Sequence, residues 1–332
     1  MTTYDRALGA LTGLALGDAL GMPTQSLSRA QILADHGAVT GLVDAGPHQR
    51  IAAGMRAGSV TDDTEQALLL ARLLVEGGGR IAPDVLAAAL LAWERGMAAR
   101  GSLDLLGPST KRAVERIATG EPPEQAGRDG VTNGAAMRIA PVGIAVAAEP
   151  LDVLVDAVVD ASFVTHATSL GLGAAAAVAA AVSTGVAGGT LADVLDVAPR
   201  AAALGAERGR WVAGGHVGAR IAWATRHLPS LPPERWADEL DTVVGTSVAA
   251  QESVVAAFAI AAAEPDPWRA LCLAASVGGD TDTVAAILGA VLGSVHGEGA
   301  WPTDAVRRVT EVNELDLPEV VRDLLELREG GR

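Results

Sequence analysis

Cysteine, aromatic residues and lysine are all scarce in this 332-residue sequence. The single cysteine, Cys272, rules out an internal disulfide framework and any cysteine-rich zinc site. It stands in the apolar run 270–275, where it reads as a small core side chain rather than a nucleophile. Positive charge is short as well: 25 Lys and Arg against 40 Asp and Glu leave a net charge of −15. Such a surface repels phosphate backbones and anionic lipid, so bulk nucleic-acid binding and membrane binding are not expected. An anionic substrate would need local relief from arginines, helix N-termini or metal ions. No run is hydrophobic enough for a convincing membrane span. The blandest, 171–189, is mostly alanine and glycine and is broken by Ser183 and Thr184. Residues 1–6 lack a basic segment leading into an apolar core, so no targeting leader is expected and the cytoplasm is the expected location.

What is present is alanine, glycine and helical periodicity. With 39 glycines against 6 Trp, 1 Tyr and 2 Phe, the core must pack through small side chains that let helices approach closely. Alternating strand patterns are nearly absent. The clearest helical stripe is Val284, Ile287, Leu288, Val291, Leu292 and Val295. Gly9, Gly13, Gly17 and Gly21 recur at every fourth position, a spacing that opens one helix face to another backbone. Further helices are expected at 64–76, 83–95, 109–119, 151–161, 170–183, 210–226, 233–244, 252–263 and 267–275, with an acidic amphipathic tail at 317–327. Segments 37–60 and 119–138 read as irregular linkers, and the first, with Gly41, Gly46, Gly54 and Gly58, is either a lid or a passive surface loop. Nothing divides the chain, so one all-α domain over 1–332 is expected.

Two short acidic motifs open two of these helices: Thr61-Asp-Asp-Thr-Glu65 and Gly278-Gly-Asp-Thr-Asp-Thr283. One reading is helix capping, with Thr or Asp at the N-cap and acids in the first turn facing the dipole. Capping accounts for one carboxylate per helix. Asp62 and Asp63 diverge by about 100° around a helix and cannot both serve the same cap. The other reading is a hard-cation site, because four carboxylates and several hydroxyls suit Mg²⁺, Mn²⁺ or Ca²⁺. Spacing alone leaves both readings open.

Taken in order, these motifs resemble those of the ADP-ribosylglycohydrolase family. Thr61-Asp-Asp-Thr64 and Gly279-Asp-Thr-Asp-Thr283 are joined by Gly13-Leu-Ala-Leu-Gly-Asp-Ala-Leu-Gly-Met-Pro23, Thr132-Asn-Gly-Ala-Ala-Met-Arg138, Thr165-His-Ala-Thr-Ser169 and Glu252-Ser-Val254. The resemblance covers 5–297. It implies a compact orthogonal helical bundle and a divalent-metal-dependent glycosidase that releases ADP-ribose from its acceptor. It also implies two Mg²⁺ or Mn²⁺ ions held by Thr61, Asp62, Asp63, Asp280, Asp282 and Thr283, with Asp62 or Asp63 as the catalytic base. Gln25, Asn133, Gly134, Ala135, Met137, Arg138 and His166 would contact the substrate. Asp18, beside the glycine face, reads as structural and in need of a polar partner.

One position departs from the family pattern. Many relatives carry a glutamate where this chain has Gln25, which can exchange hydrogen bonds but cannot take a proton or supply an anionic ligand. Three readings follow: an ADP-ribosyl hydrolase; a hydrolase of a smaller ribosyl N-glycoside such as a nucleoside; or a non-catalytic metal-binding homologue, which Gln25 alone favours. The 131–138 wording, with Leu106-Gly-Pro-Ser-Thr-Lys111 upstream, is similar to a bacterial subgroup. A lone lysine amid many arginines fits a high-GC bacterial genome. An adenine-stacking aromatic would favour the first reading, and Trp93, Trp211, Trp223, Tyr4 and Phe163 are its candidates. Arg138 and Arg128 are the positive charges nearest in sequence to a pyrophosphate site, with Arg128 the more ordinary loop charge.

Overall fold

The computed structural model describes residues 1–101 and 107–330, so Leu106 lies outside the described residues. Among the described residues there are helices and three isolated β-bridges but no extended strand. In chain order the helices are α1 Thr3–Gly21, α2 Arg29–His36, α3 Asp62–Glu76, α4 Pro83–Ala99, α5 Pro108–Ala118, α6 Pro123–Ala126, α7 Gly134–Met137, α8 Ala140–Ala145 and α9 Leu151–Ser162. There follow α10 Ser169–Val186, α11 Leu191–Arg208, α12 Val217–His227, α13 Trp236–Glu239, α14 Ala250–Ala263, α15 Pro267–Ala274, α16 Thr281–His296, α17 Thr303–Asn313 and α18 Leu317–Gly330. The all-α class expected from the sequence is the observed one.

The glycine stripe decides how the centre packs. Along α1 the glycines meet the backbone of α16: a Cβ built on Gly13 would stand 2.2 Å from the Gly289 carbonyl oxygen, and one on Gly17 2.0 Å from that of Ala285. Gly289 and Gly293 return the fit, with Cβ positions 1.9 and 2.0 Å from the carbonyl oxygens of Gly13 and Gly9. Real side chains cannot occupy such gaps, so the two helices lie in backbone contact. Around this pair, the alanine-rich α10 and α14 complete a single core of buried Ala, Val, Leu and Ile. Apolar enough by length and composition to cross a membrane, α10 is instead 89% buried inside the molecule.

Several elements depart from the periodicity reading. Four helices outside the expected linkers were not anticipated: α2 and α8, which are short; α11, which carries Pro199 in its interior; and α17, only two of whose residues, Ala305 and Val309, are buried. In α11 the Thr190–Asp193 capping box starts the helix firmly, and the chain continues through Pro199. The helix expected at 210–226 begins later, at Val217, after the loop that holds Gly214 and Gly215. The 233–244 stretch breaks into a 3₁₀ turn, the four-residue α13 and a π turn. Segment 119–138 is not wholly irregular, since α6 and α7 fall within it. The tail helix is as expected, burying Leu317, Val321 and Leu324.

Candidate functional site

A single cleft forms where the N-termini of α3, α5 and α16 come together. Close approach of α1 to α16 starts the arrangement: Gly21 lies against Asp282, its Cβ position 2.3 Å from the Asp282 Cα. Two backbone bridges close the walls. Leu27 pairs with Gly279, with Ser26 N–H donating to the Gly279 carbonyl at 2.6 Å, and Thr132 pairs with Ala249. Gly278 and Gly279, at φ +84° and +77°, supply the left-handed turn that delivers Asp280 to α16.

Capping of α3 does not consume its two aspartates. Thr61 is the N-cap residue, but most of the work comes from Asp18, fully buried on α1. The Asp18 carboxylate accepts from the backbone N–H groups of Thr61 (2.9 Å) and Thr64 (3.1 Å) and from both their hydroxyls (2.8 and 2.5 Å). Asp18 therefore has the partners its position demanded. Asp280 occupies the N-cap position of α16 without capping it; its carboxylate instead accepts from the Asn133 amide, which also donates to Ser253 Oγ at 2.9 Å. Asp282 accepts from Thr283 N–H at 2.9 Å, and Thr283 Oγ1 donates to Asp63 Oδ2 at 3.3 Å.

Asp62, Asp63, Asp280 and Asp282 thus line one cleft of 140 Å³ together with Gln25, Asn133, Gly134, Met137 and Thr283. Its remaining walls come from Ser26, Ile51, Gly107, Pro108 and Val248, which sequence reasoning had not assigned to the site. All four carboxylates are buried, and Asp63 Oδ1 has no hydrogen-bond partner. Burial, followed by repulsion from their neighbours, holds the carboxyls of Asp62, Asp63 and Asp282 well above the usual range. Burial likewise raises Asp280, and raises Asp18 to about 6. The cleft is a concentration of negative charge with too little positive charge to balance it.

Four expected residues do not line the cleft. Thr61 sits behind it on Asp18, and Ala135 is buried in the core. Arg138, 1% exposed, donates to Gln66 Oε1 (2.7 Å) and Thr165 Oγ1 (2.5 Å), while Gln66 passes a hydrogen bond to Asp62 Oδ2 at 3.1 Å. Arg138 is therefore a core cation acting on Asp62 through Gln66, and burial lowers its own pKa to about 10. His166 is clamped between Thr165 Oγ1 (2.7 Å) and Thr132 Oγ1 (3.0 Å), directly beneath Gly134. Burial, with Arg138 nearby, pushes the imidazole well below its usual pKa, so it is a neutral prop for the Asn133 loop. Arg128 is ion-paired with Glu121. No aromatic is among the described residues lining the cleft. Trp93 donates to Glu65 at 2.8 Å, and Trp223 stacks on His227.

The ADP-ribosylglycohydrolase family model matches residues 1–332. The chain belongs to that family. YegU of Escherichia coli (strain K12) is 33% identical over 327 residues, 98% of each chain. The ADP-ribosyl-[dinitrogen reductase] glycohydrolase of Rhodospirillum rubrum is 32% identical over 158 residues, 46% of this chain and 48% of that one. A solved ADP-ribosylglycohydrolase-related protein complex, 28% identical, superposes with a TM-score of 0.73 over 98% of both chains. Family members hydrolyse glycosidic bonds of ADP-ribosyl groups, which places this chain among the ADP-ribosyl hydrolases in the general sense.

Proposed function

We propose that this protein is a divalent-metal-dependent hydrolase that cleaves the bond between the anomeric carbon of an ADP-ribosyl group and its acceptor, releasing ADP-ribose. Four buried aspartates lining one cleft carry this reading, Asp62 and Asp63 being spared from capping α3 by Asp18 and Thr61.

The donor set fits two Mg²⁺ or Mn²⁺ ions: hard oxygens only, an orphaned buried carboxylate oxygen on Asp63, and no lysine or arginine lining the cleft among the described residues. Asp62, Asp63, Asp280, Asp282 and Thr283 would hold the ions, with Thr61 fixing the start of α3 behind them. Among the described residues no three His, Cys, Asp or Glu side chains already form a ligand cluster. When bound, the cations would compensate the aspartates and orient the ribose diol and a water.

This chain's own residues do the rest. Asn133, tied to Asp280 and Ser253, and the Gly134 backbone above His166 hold the sugar against the carboxylates. Water oxygen forms the new bond to C1 as the bond to the acceptor breaks, its electron pair leaving with the acceptor. Asp62 or Asp63 takes one water proton and passes it to the departing acceptor, while the other hydrogen stays on the new C1 hydroxyl. The remaining carboxylates stabilise positive charge developing on the ring. On this reading the enzyme acts in the cytoplasm, as one domain, on ADP-ribosylated acceptors.

A smaller ribosyl N-glycoside such as a nucleoside is the second reading. It is favoured by the 140 Å³ of the cleft and by the lack of a lining aromatic, since drug-sized ligands occupy roughly 300–1,000 Å³. Purified protein with Mg²⁺ or Mn²⁺, then with EDTA, separates the readings on panels of ADP-ribosylated acceptors and ribonucleosides. Metal-dependent release of ADP-ribose is the expected result. Release of ribose alone selects the second reading, and no turnover of either panel by metal-loaded protein selects the non-catalytic homologue.

A further inference from the structure

Among the described residues the largest fully buried side chain is a cation, Arg138, and its two hydrogen-bond partners, Gln66 and Thr165, are neutral. Its Nε has no partner at all. A guanidinium held in this way costs desolvation that an aliphatic side chain in the same place would not. Its place in the fold gives a reason for that cost. Arg138 stands at the middle of a hydrogen-bonded path that joins Asp62 on α3 to Asp280 at the start of α16.

A guanidinium can only donate, so Gln66 must present its Oε1 to Arg138, at 2.7 Å. Its Nε2 is thereby turned to Asp62 Oδ2, 3.1 Å away and one turn back along α3. On the other side Arg138 donates to Thr165 Oγ1 at 2.5 Å. The Thr165 hydroxyl proton then has two acceptors, His166 Nδ1 at 2.7 Å and the Ser162 carbonyl at 3.4 Å, and goes to the nearer. The imidazole in turn carries its own proton on Nε2 and donates to Thr132 Oγ1 at 3.0 Å. Thr132 adjoins Asn133, whose amide donates to Asp280. Every donor on the path points away from Arg138, and the two ends are a carboxylate of α3 and a carboxylate of α16. Asp63 and Asp282 are linked differently, through the hydroxyl and the backbone N–H of Thr283.

We propose that Arg138 is a positioning residue for the hydrolase. Through Gln66 it orients Asp62, and through Thr165, His166 and Thr132 it orients the Asn133 amide on Asp280, so that one carboxylate from each helix is fixed before cations and substrate arrive. The assignment rests on the metal-dependent reading above. It gives Arg138 a role in the reaction without any contact to the substrate.

The test uses the full chain and two readouts. The first is nitrogen NMR of metal-free protein with isotope-labelled histidine, His166 being assigned by the loss of its signals in His166→Gln. At neutral pH its proton is expected on Nε2, and a proton on Nδ1 overturns the path. The second is Mn²⁺ affinity, which separates positioning from charge by sign. Removing a nearby cation would by itself tighten Mn²⁺ binding. Loss of positioning is instead expected to weaken it in Arg138→Met by about tenfold or more, and to lower kcat to a similar extent with KM within about twofold. Arg138→Lys, which keeps the charge but not the planar fork, should recover only part of both. Thr165→Val cuts the path without changing charge; it is expected to weaken Mn²⁺ several-fold, and it decides the matter should Arg138→Met not fold. Mn²⁺ bound by these variants as tightly as by wild type, or more tightly, overturns the proposal. Failure of the hydrolase reading looks different: wild type leaves ADP-ribosylated acceptors uncleaved while Mn²⁺ affinity still falls in Arg138→Met and Thr165→Val.

Discussion

Asp18 shows why single residues near this site cannot be judged by exposure or motif alone. It is fully buried, lines no wall of the cleft, and yet accepts hydrogen bonds from two backbone N–H groups and two hydroxyls that open α3. Charge-assisted bonds of this kind contribute about 1.5–3 kcal/mol each at best, offset here by the cost of burying the carboxylate. Asp18→Ala is expected to lower stability by about 2–4 kcal/mol and to abolish turnover, checked by denaturant unfolding and by the ADP-ribose release assay. A variant with wild-type stability would contradict the capping role. Asp62→Ala and Asp282→Ala should fold normally, since each removes a repelled carboxylate, and should lose activity at least a hundredfold. Full activity in either would remove the catalytic account. The aspartate motifs themselves were legible because residue type, order and helix position are all sequence properties. The placements of Arg138 and His166 were not. Which way Arg138 turns depends on Gln66 and Thr165, and which way His166 turns depends on Thr132, partners that lie far from each in the chain.

At the scale of elements, the glycine stripe was legible and its partner was not. Four-residue spacing marks a face open to another backbone, but only the structure shows that α16, the helix opening with Asp280 and Asp282, fills it. The stripe therefore serves the site as well as the core. Gly17→Ala would place a methyl 2.0 Å from the Ala285 carbonyl oxygen, so it is expected to destabilise by about 3 kcal/mol or more despite the better helix propensity of alanine. Gly96→Ala, in α4 with nothing within 4 Å of the new Cβ, is expected to stabilise by about 0.5–1 kcal/mol. Thermal unfolding of the two variants beside wild type checks the opposite signs. The helices that escaped the periodicity reading did so for different reasons. α17 buries only Ala305 and Val309, so its apolar signal is thin, whereas α11 buries Val194, Val197, Ala198, Ala201 and Ala202 on one face but carries a proline where a helix is not expected.

The whole molecule carries −15, and its most concentrated negative charge is internal. That has a consequence for stability. Asp18 is raised from 3.8 to about 6, and Asp62, Asp63 and Asp282 stand well above 3.8, so the folded chain holds more protons than the unfolded one over that range. Stability from these groups is fully present below about 3.8 and is lost as pH rises through about 6 and beyond. Asp35, Asp129 and Asp193 are lowered, which works in the opposite sense below the usual carboxylate range, but their bonds are at the surface and count for less. In EDTA the Tm is therefore expected to fall from pH 5 to pH 8, and saturating Mg²⁺ at pH 8 should restore it. A Tm that rises across that interval in EDTA would contradict the charge account.

Manganese binding tests the central claim most directly, because it reads the aspartate cleft without presuming a substrate. Titrated with Mn²⁺ and followed by electron paramagnetic resonance, the wild-type chain is predicted to take up two ions close enough to couple magnetically. Asp62→Ala and Asp282→Ala should each lose the coupled signal while remaining folded. A wild type that binds no Mn²⁺, or variants that bind it as the wild type does, would contradict the account.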